Sequence, residues 1–279
     1  MSPNLTIIGP GVMAEAILKN LITQKIIESS SITTSGPHEE RVQYLAKTYK
    51  VHSQTDNSEA VKKADIVLFC IKPQRVDKVL EGLRGILKND ALVISIVAGA
   101  KMEKISRTLQ HEQVIRAMPN TPGQIGKGIT VWTASKSVSQ SQLEFARRIF
   151  TAMGKEIFTE NEDDLDRATA LSGTGPAYVY LFMEAMVDAG VHLGFPRRIA
   201  ERLVIETLRG SVDFYDQGEE KERHLAALRN QVTSPGGTSA ESLYFLEKAG
   251  FRTAISRAIW AAYQRTLELG QDINRSPKD

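Results

Sequence analysis

The chain has 279 residues, 42% of them apolar and 24% charged, with 35 Lys plus Arg against 33 Asp plus Glu and a formal charge of +2. That is enough apolar chain for one large domain or two ordinary ones, and the near balance of charge disfavours both a nucleic-acid binder held by bulk electrostatics and an acidic disordered tail. No apolar run approaches the ~18 residues of a membrane span, the start Met1-Ser-Pro-Asn4 has no leader pattern, and the single cysteine, Cys70, leaves no intrachain disulfide or Cys-based zinc site, so a soluble cytoplasmic protein without metal, membrane or nucleic-acid partners is expected.

Residues 5–8 form a short apolar, β-branched run followed by glycine, which predicts a buried strand. Residues 12–24 carry Met13, Ile17, Leu18 and Leu21 at helical spacing. Further strands are expected at 31–34, 66–71, 92–97, 114–118 and 129–132, each stopped by Gly or Pro or followed by polar residues. Strands separated by helical segments imply βαβ units and a mainly parallel, doubly wound sheet. The pattern changes at the acidic stretch Glu160-Asn-Glu-Asp-Asp164, whose carboxylates suit a helix start. Beyond it every segment reads as helix: 163–171, 176–193, 196–216, 220–230, 239–249 and 252–269, with Pro176 and Pro196 at first-turn positions and Gly194, Gly218, Gly250 and Gly270 as stops. The fold class is therefore α/β, with an N-terminal sheet domain over 1–160 and an all-helical domain over 161–279.

The helix over 177–193 is apolar on almost every side; only Glu184, Asp188, Gly190 and His192 interrupt it, and the three polar ones fall on one stripe. Such a helix has to be covered. A second copy of the chain is the simplest cover, and a central helix within one chain is the alternative.

Gly9-Pro-Gly11-Val-Met-Ala14 follows the first strand and opens the first helix. This is the G-x-G-x-x-A dinucleotide fingerprint: glycines for the turn and the pyrophosphate approach, a small residue for close packing, and helix N–H groups for phosphate. NAD sites usually carry an acid at the tip of the second strand. Here the strand runs into Ser35-Gly-Pro-His38 with no acid, and Ser35, His38 and Arg41 are candidates to face a 2′-phosphate, which favours NADPH over NADH. Lys72, in Cys70-Ile-Lys-Pro73, reads as a strand-end residue shaping its loop rather than as a catalytic base. In the second half, Ser172-Gly-Thr-Gly-Pro-Ala177 opens the apolar helix and reads either as backbone held close to the nicotinamide side of the cofactor or as a tight helix–helix turn. Thr233-Ser-Pro-Gly-Gly-Thr-Ser239 places hydroxyls and glycines at a helix start, a cradle for a carboxylate. Thr238 with Glu241 also fits a capping box.

Seven stretches in order resemble the pyrroline-5-carboxylate reductase family over nearly the full length: Ile8-Gly-Pro-Gly-Val-Met-Ala14, Ile71-Lys-Pro-Gln74, Ser95-Ile-Val-Ala-Gly99, Arg116-Ala-Met-Pro-Asn-Thr-Pro122, Leu171-Ser-Gly-Thr-Gly-Pro-Ala-Tyr178, Asp188-Ala-Gly-Val-His-Leu-Gly-Phe-Pro196 and Val232-Thr-Ser-Pro-Gly-Gly-Thr238. The resemblance implies a Rossmann domain followed by a helical dimerisation domain. It implies NADPH- or NADH-dependent reduction of (S)-1-pyrroline-5-carboxylate to L-proline, and a homo-oligomer built on an interlocked dimer, with a decamer as the larger assembly. Cofactor contacts carry over to Gly9, Pro10, Gly11, Val12, Met13, Ser35, Asn57, Cys70, Ile71, Lys72, Pro73, Ala98, Gly99, Asn120 and Thr121. Substrate contacts carry over to Val232, Thr233, Ser234, Gly236, Gly237, Thr238 and Ser239, with the hydroxyls of Thr238 and Ser239 nearest the chemistry and Glu222 a candidate for recognising the product amine. Pro10 stands where Ala is common, and Thr174 where Ser is. A reductase of a related cyclic imine and a non-catalytic dinucleotide sensor are the alternatives. A β-hydroxyacid dehydrogenase is disfavoured, because residues 161–190 contain no lysine.

Overall fold

A computed structural model describes residues 3–216 and 224–274. Its strands are β1 Leu5–Ile8, β2 Ile32–Ser35, β3 His52–Gln54, β4 Ile66–Phe69, β5 Leu92–Ser95, β6 Val114–Pro119, β7 Gly128–Ala134 and β8 Gly154–Phe158. The α-helices among the described residues are α1 Val12–Thr23, α2 Glu39–Tyr49, α3 Asn57–Val61, α4 Val76–Glu81, α5 Met102–Leu109, α6 Gln140–Thr151, α7 Asp163–Ala168, α8 Gly175–His192, α9 Arg197–Asp216, α10 Leu225–Gln231, α11 Thr238–Lys248 and α12 Phe251–Asn274. By compactness they group into two units. One holds the chain up to Pro176 together with the stretch from Ala261 onward, and the other is Ala177–Trp260. This division differs from the one read in the sequence at 160/161.

The first unit is built on one sheet of order β3-β2-β1-β4-β5-β6-β7-β8. All neighbours are parallel except β6 and β7, which are antiparallel. β1, β4 and β5 are buried along their whole length, as strands covered by helices on both faces must be, and hence they are continuous apolar runs. Alternate residues serve the two faces. Leu5, Ile7, Leu68 and Ile94 pack with Ile17, Leu18 and Leu21 of α1 and with Ile149 and Phe150 of α6. Ile8, Val67, Phe69 and Val93 pack with Leu80 of α4, Ile105 of α5 and Ile273 near the end of α12. Six strands were expected; β3 and β8, the two edge strands, are additional. β8 is held by Trp132, whose indole N–H donates to Glu156 at 2.5 Å and whose ring lies edge-on to Phe158.

Between α7 and α8 the chain makes a wide π-turn, Thr169–Gly173. The Thr174 N–H donates five residues back to the Thr169 carbonyl at 2.8 Å. The expected 163–171 helix therefore ends earlier, at Ala168.

The second unit has a small core of Val187, Ala200 and Val204. Gly190 lets α9 come close to α8: a Cβ there would lie 2.9 Å from that of Ala200. Val187 is the one buried residue of α8. Tyr180 and Leu181 are 60% and 68% exposed, so the second unit by itself does not cover α8.

Candidate functional site

The sheet order reverses between β1 and β4, which lie side by side while β2 and β3 follow β1 outward and β5 and β6 follow β4. The crevice at the carboxyl ends of strands flanking such a switch point is where open α/β sheets bind ligands. Nearly all of the cofactor residues expected from the sequence lie along this edge. Gly9 to Met13 follow β1, Ser35 ends β2, Asn57 follows β3, Cys70 to Pro73 follow β4, Ala98 and Gly99 follow β5, and Asn120 and Thr121 follow β6.

The turn after β1 is tight for a definite reason. Gly9 has φ +89°, and a Cβ on it would lie 2.8 Å from both the Cys70 carbonyl oxygen and the Ile71 side chain. The Gly9 N–H donates to the Ser35 carbonyl at 2.9 Å, joining the tips of β1 and β2. Pro10 closes over Gly36, where a Cβ would lie 2.5 Å from the Pro10 ring. Gly11 is different: a Cβ there meets nothing within 4 Å. The protein does not need that glycine for its own packing, so the space is available to a ligand. Gly11 is also the N-cap of α1 and no side chain caps the helix. A phosphate set against this end would meet N–H groups and the positive end of the helix dipole. Cys70 is half-buried, and desolvation pushes its thiol up, which keeps it protonated.

At the next strand tip, the buried Ser35 donates its hydroxyl to the Asn57 side-chain oxygen at 2.7 Å. Arg41, from the first turn of α2, reaches back across the glycine loop. Its Nε donates to the Pro10 carbonyl at 2.8 Å, and its Nη2 pairs with Glu15 at 2.5 Å. Glu15 also accepts from the Tyr49 hydroxyl at 2.8 Å. Burial alone would raise the Glu15 carboxyl, but the hydrogen bonds from Arg41 and Tyr49 and the Arg41 charge outweigh it and hold the group below the usual carboxylate range. Tyr49, partly buried and bonded to Glu15, is pushed up to about 12. Glu15 and Tyr49 were not among the expected site residues. An acid one turn into the fingerprint helix was the available signal for Glu15.

Two expected contacts carry structural duties. Gly99 lies against Gly270 of α12, and its carbonyl accepts from Asn274 at 2.9 Å. Both ends of the Asn120 amide are engaged: Oδ1 accepts from the Ile129 N–H at 3.0 Å, and Nδ2 donates to the Ser172 carbonyl in the π-turn at 3.1 Å. Lys72 is exposed at the strand end. Arg116, in β6, is fully buried and pairs with Asp166 at 2.5 Å and with Glu162 at 3.2 Å. A charged residue inside an apolar strand was the signal for this cluster.

In the second unit the loop between α10 and α11 carries the substrate residues expected from the resemblance. The Gly237 N–H donates to the Ser234 carbonyl at 3.0 Å, closing a turn in which Gly236 has φ +69°. A Cβ on Gly237 would sit 2.5 Å from the Ser234 hydroxyl and 3.2 Å from the Ser234 carbonyl oxygen, so the loop packs closely on this glycine. Thr233 donates its hydroxyl to the Arg229 carbonyl at 2.7 Å. Val232, Ser234 and Thr238 are exposed and Ser239 is half-buried. The expected capping box is not formed. Gly237 rather than Thr238 is the N-cap of α11, and no side chain caps it; Thr238 is already the first helical residue. The α11 N-terminus is left open as a result, and hydroxyls flank it. Glu222 lies outside the described residues.

Residues 162–269 match the family model described as pyrroline-5-carboxylate reductase dimerisation, and residues 4–99 match the one described as NADP oxidoreductase coenzyme F420-dependent. The chain is 45% identical to pyrroline-5-carboxylate reductase of Synechocystis sp. over 97% of its own length and 100% of the relative's. It is 34% identical to that of Pseudomonas aeruginosa, over 98% and 99%. Among solved structures it resembles the NADP-bound pyrroline carboxylate reductase of Plasmodium falciparum, with a TM-score of 0.88 and 30% identity over 96% of this chain and 98% of that one. Similarity that runs end to end, through the glycine cradle, the reversed sheet and the hydroxyl loop alike, makes this chain a member of the pyrroline-5-carboxylate reductase family.

Proposed function

We propose that the chain reduces (S)-1-pyrroline-5-carboxylate to L-proline with NADPH, and accepts NADH in its place. The observation that carries this reading is that each unit, taken by itself, has an uncapped helix start suited to an anion. The N-terminus of α1 has an open Gly11 for a pyrophosphate, and that of α11 is flanked by Ser234, Thr238 and Ser239 for a carboxylate. The family membership and the 45% identical relative support the same reaction.

When bound, the cofactor supplies a hydride to the imine carbon. Gly9, Pro10, Gly11, Val12 and Met13 would hold its phosphates, and Ser35, Asn57, Cys70, Ile71, Lys72, Pro73, Ala98, Gly99, Asn120 and Thr121 would supply the remaining contacts along the same edge of the sheet. Val232, Thr233, Ser234, Gly236 and Gly237 shape the carboxylate cradle. A hydroxyl of Thr238 or Ser239 accepts a hydrogen bond from the protonated ring nitrogen or relays a proton to it, and Glu222 recognises the product amine. A protonated C=N is already electrophilic, so the protein's contribution is chiefly to hold and orient the ring. No strongly acidic side chain is demanded of the loop, and it offers none.

The exposed apolar face of α8 pairs with a second copy in an interlocked dimer, which builds further into a decamer, and the enzyme works in the cytoplasm. The test is NADPH consumption by the purified protein with pyrroline-5-carboxylate, repeated with NADH and with the six-membered cyclic imine. Turnover with the five-membered imine, and at least tenfold less with the larger ring, is expected. No oxidation of either nucleotide would leave the sensor reading in its place.

A further inference from the structure

At the ribose corner of the nucleotide cradle a cation and a carboxylate hold each other, while Glu39 and Glu40 follow in the first turn of α2. β2 ends in Ser35 and runs on through Gly36, Pro37 and His38 without an acid. A ribose diol therefore finds no carboxylate to accept its hydroxyl bonds, the usual device for preferring NADH. The cation is Arg41. Its guanidinium is located by the Pro10 carbonyl at 2.8 Å and the Gly11 carbonyl at 3.4 Å, and lies 5.4 Å from the centre of the Tyr44 ring. It is fixed at the cradle's rim, where a 2′-phosphate would meet it.

Its charge, however, is already compensated. Glu15 stands 2.5 Å from Nη2, and the two side chains are only 24% and 31% exposed. Tyr49 donates to the other Glu15 oxygen at 2.8 Å and keeps the carboxylate turned toward Arg41. A 2′-phosphate, with a charge of about −1.5 to −2, that is attracted by Arg41 also meets the repulsion of Glu15, since the carboxylate is paired to that same guanidinium at 2.5 Å. In a partly buried site, solvent screens neither interaction away.

We propose that Glu15 is the specificity-determining residue for the nucleotide: by sharing Arg41 with the 2′-phosphate it reduces the advantage of NADPH over NADH. Glu15 touches no reacting atom; it acts through Arg41. The inference rests on the reading of the Gly9–Ala14 cradle as a dinucleotide site.

The test measures binding rather than turnover. Adenosine 2′,5′-bisphosphate and AMP are titrated into the full-length protein at low salt by calorimetry. Glu15→Gln should tighten the bisphosphate about five- to tenfold and move AMP less than twofold. Glu15→Ala removes the charge without placing an amide beside Arg41 and should give the same gain. Arg41→Gln should weaken the bisphosphate, and in that background Glu15→Gln should add nothing. The NADPH-to-NADH ratio of kcat/KM should follow the binding ratio. An unchanged bisphosphate-to-AMP ratio in both Glu15 variants, or an equal gain without Arg41, overturns the proposal. Failure of the unmodified protein to bind either nucleotide would remove the cradle reading itself, and this inference with it.

Discussion

Gly99 and Gly270 touch backbone to backbone: a Cβ on Gly99 would lie 2.9 Å from the Gly270 nitrogen, and one on Gly270 would lie 3.2 Å from the Gly99 carbonyl oxygen. Asn274 fastens the contact, donating to the Gly99 carbonyl at 2.9 Å and accepting from the Lys101 N–H at 3.1 Å. The two glycines are not equivalent, since only Gly99 has a positive φ, +76°. Gly99→Ala combines backbone strain with a clash against backbone and should cost about 2–4 kcal/mol. Gly270→Ala gains up to about 1 kcal/mol of helix propensity against a contact only slightly too close, and should be near neutral. Thermal unfolding at one protein concentration checks the difference; equal losses would mean that the contact is looser than described.

Gly9 and Gly11 should likewise separate folding from binding. Gly11→Val adds a side chain whose Cβ meets nothing within 4 Å, and Val for Gly at the N-cap of α1 should cost about 1 kcal/mol, so the protein should still fold while NADPH affinity, followed by nucleotide fluorescence, is lost. Gly9→Val pushes against the Cys70 carbonyl from a φ of +89° and should lower stability by about 3 kcal/mol or more.

Thr238→Ala and Ser239→Ala each remove a hydroxyl from the first turn of α11, and neither hydroxyl caps that helix. Loss of helix stability should therefore be small. The expected effect is a drop of about ten- to a hundredfold in kcat/KM for pyrroline-5-carboxylate, the size of one or two hydrogen bonds to a charged ligand, with the NADPH dissociation constant unchanged. Equal loss of nucleotide affinity would sink the assignment.

The buried Arg116 guanidinium depends on Asp166. Removing the carboxylate leaves a buried cation with only the longer Glu162 contact at 3.2 Å, so Asp166→Ala should cost about 2–4 kcal/mol. The double variant Arg116→Met with Asp166→Leu removes both charges and should recover most of that loss. Chemical unfolding of both variants checks the pair; no recovery in the double variant would point to the Glu162 link as the dominant one.

Asp65 offers a pH test. Burial tends to raise its carboxyl, but hydrogen bonds from Lys88 at 2.7 Å and from the Asn4 N–H at 2.8 Å prevail, and its pKa lies below the usual aspartate value. Its contribution to stability is therefore full above the ordinary carboxylate pKa of about 4 and disappears as pH falls through the depressed one. Stability of Asp65→Asn should match that of the unmodified protein at low pH and fall short of it at neutral pH. A constant gap across the range would deny the ion pair any role.

Much of this was legible in the residues themselves. The central strands announce themselves as short apolar β-branched runs because both their faces are covered, and the glycine cradle is visible because each small residue there does a separate steric task. The edge strands were not visible for the converse reason. His52-Ser-Gln54 is three polar residues, and Gly154-Lys-Glu-Ile-Phe158 is half polar with one face wet, so neither has the pattern of burial. Gly270 was read as a helix stop, yet α12 continues to Asn274; the glycine is there for a neighbour far away in the chain, which spacing along the sequence does not reveal. The same limitation hid Glu15, whose importance lies in partners 26 and 34 residues distant. The capping box failed because a glycine took the cap position and moved the threonine one place into the helix.

The bare side of α8 bears on how the protein reaches its working form. A freshly made copy carries a greasy rod that its own unit shelters only in part, so its escape from aggregation becomes a race between finding a mate and finding the wrong surface. Yield on renaturation should then rise with concentration at first and fall once clumping overtakes pairing, and supplying copies from one polysome, close together in space, would favour the productive encounter.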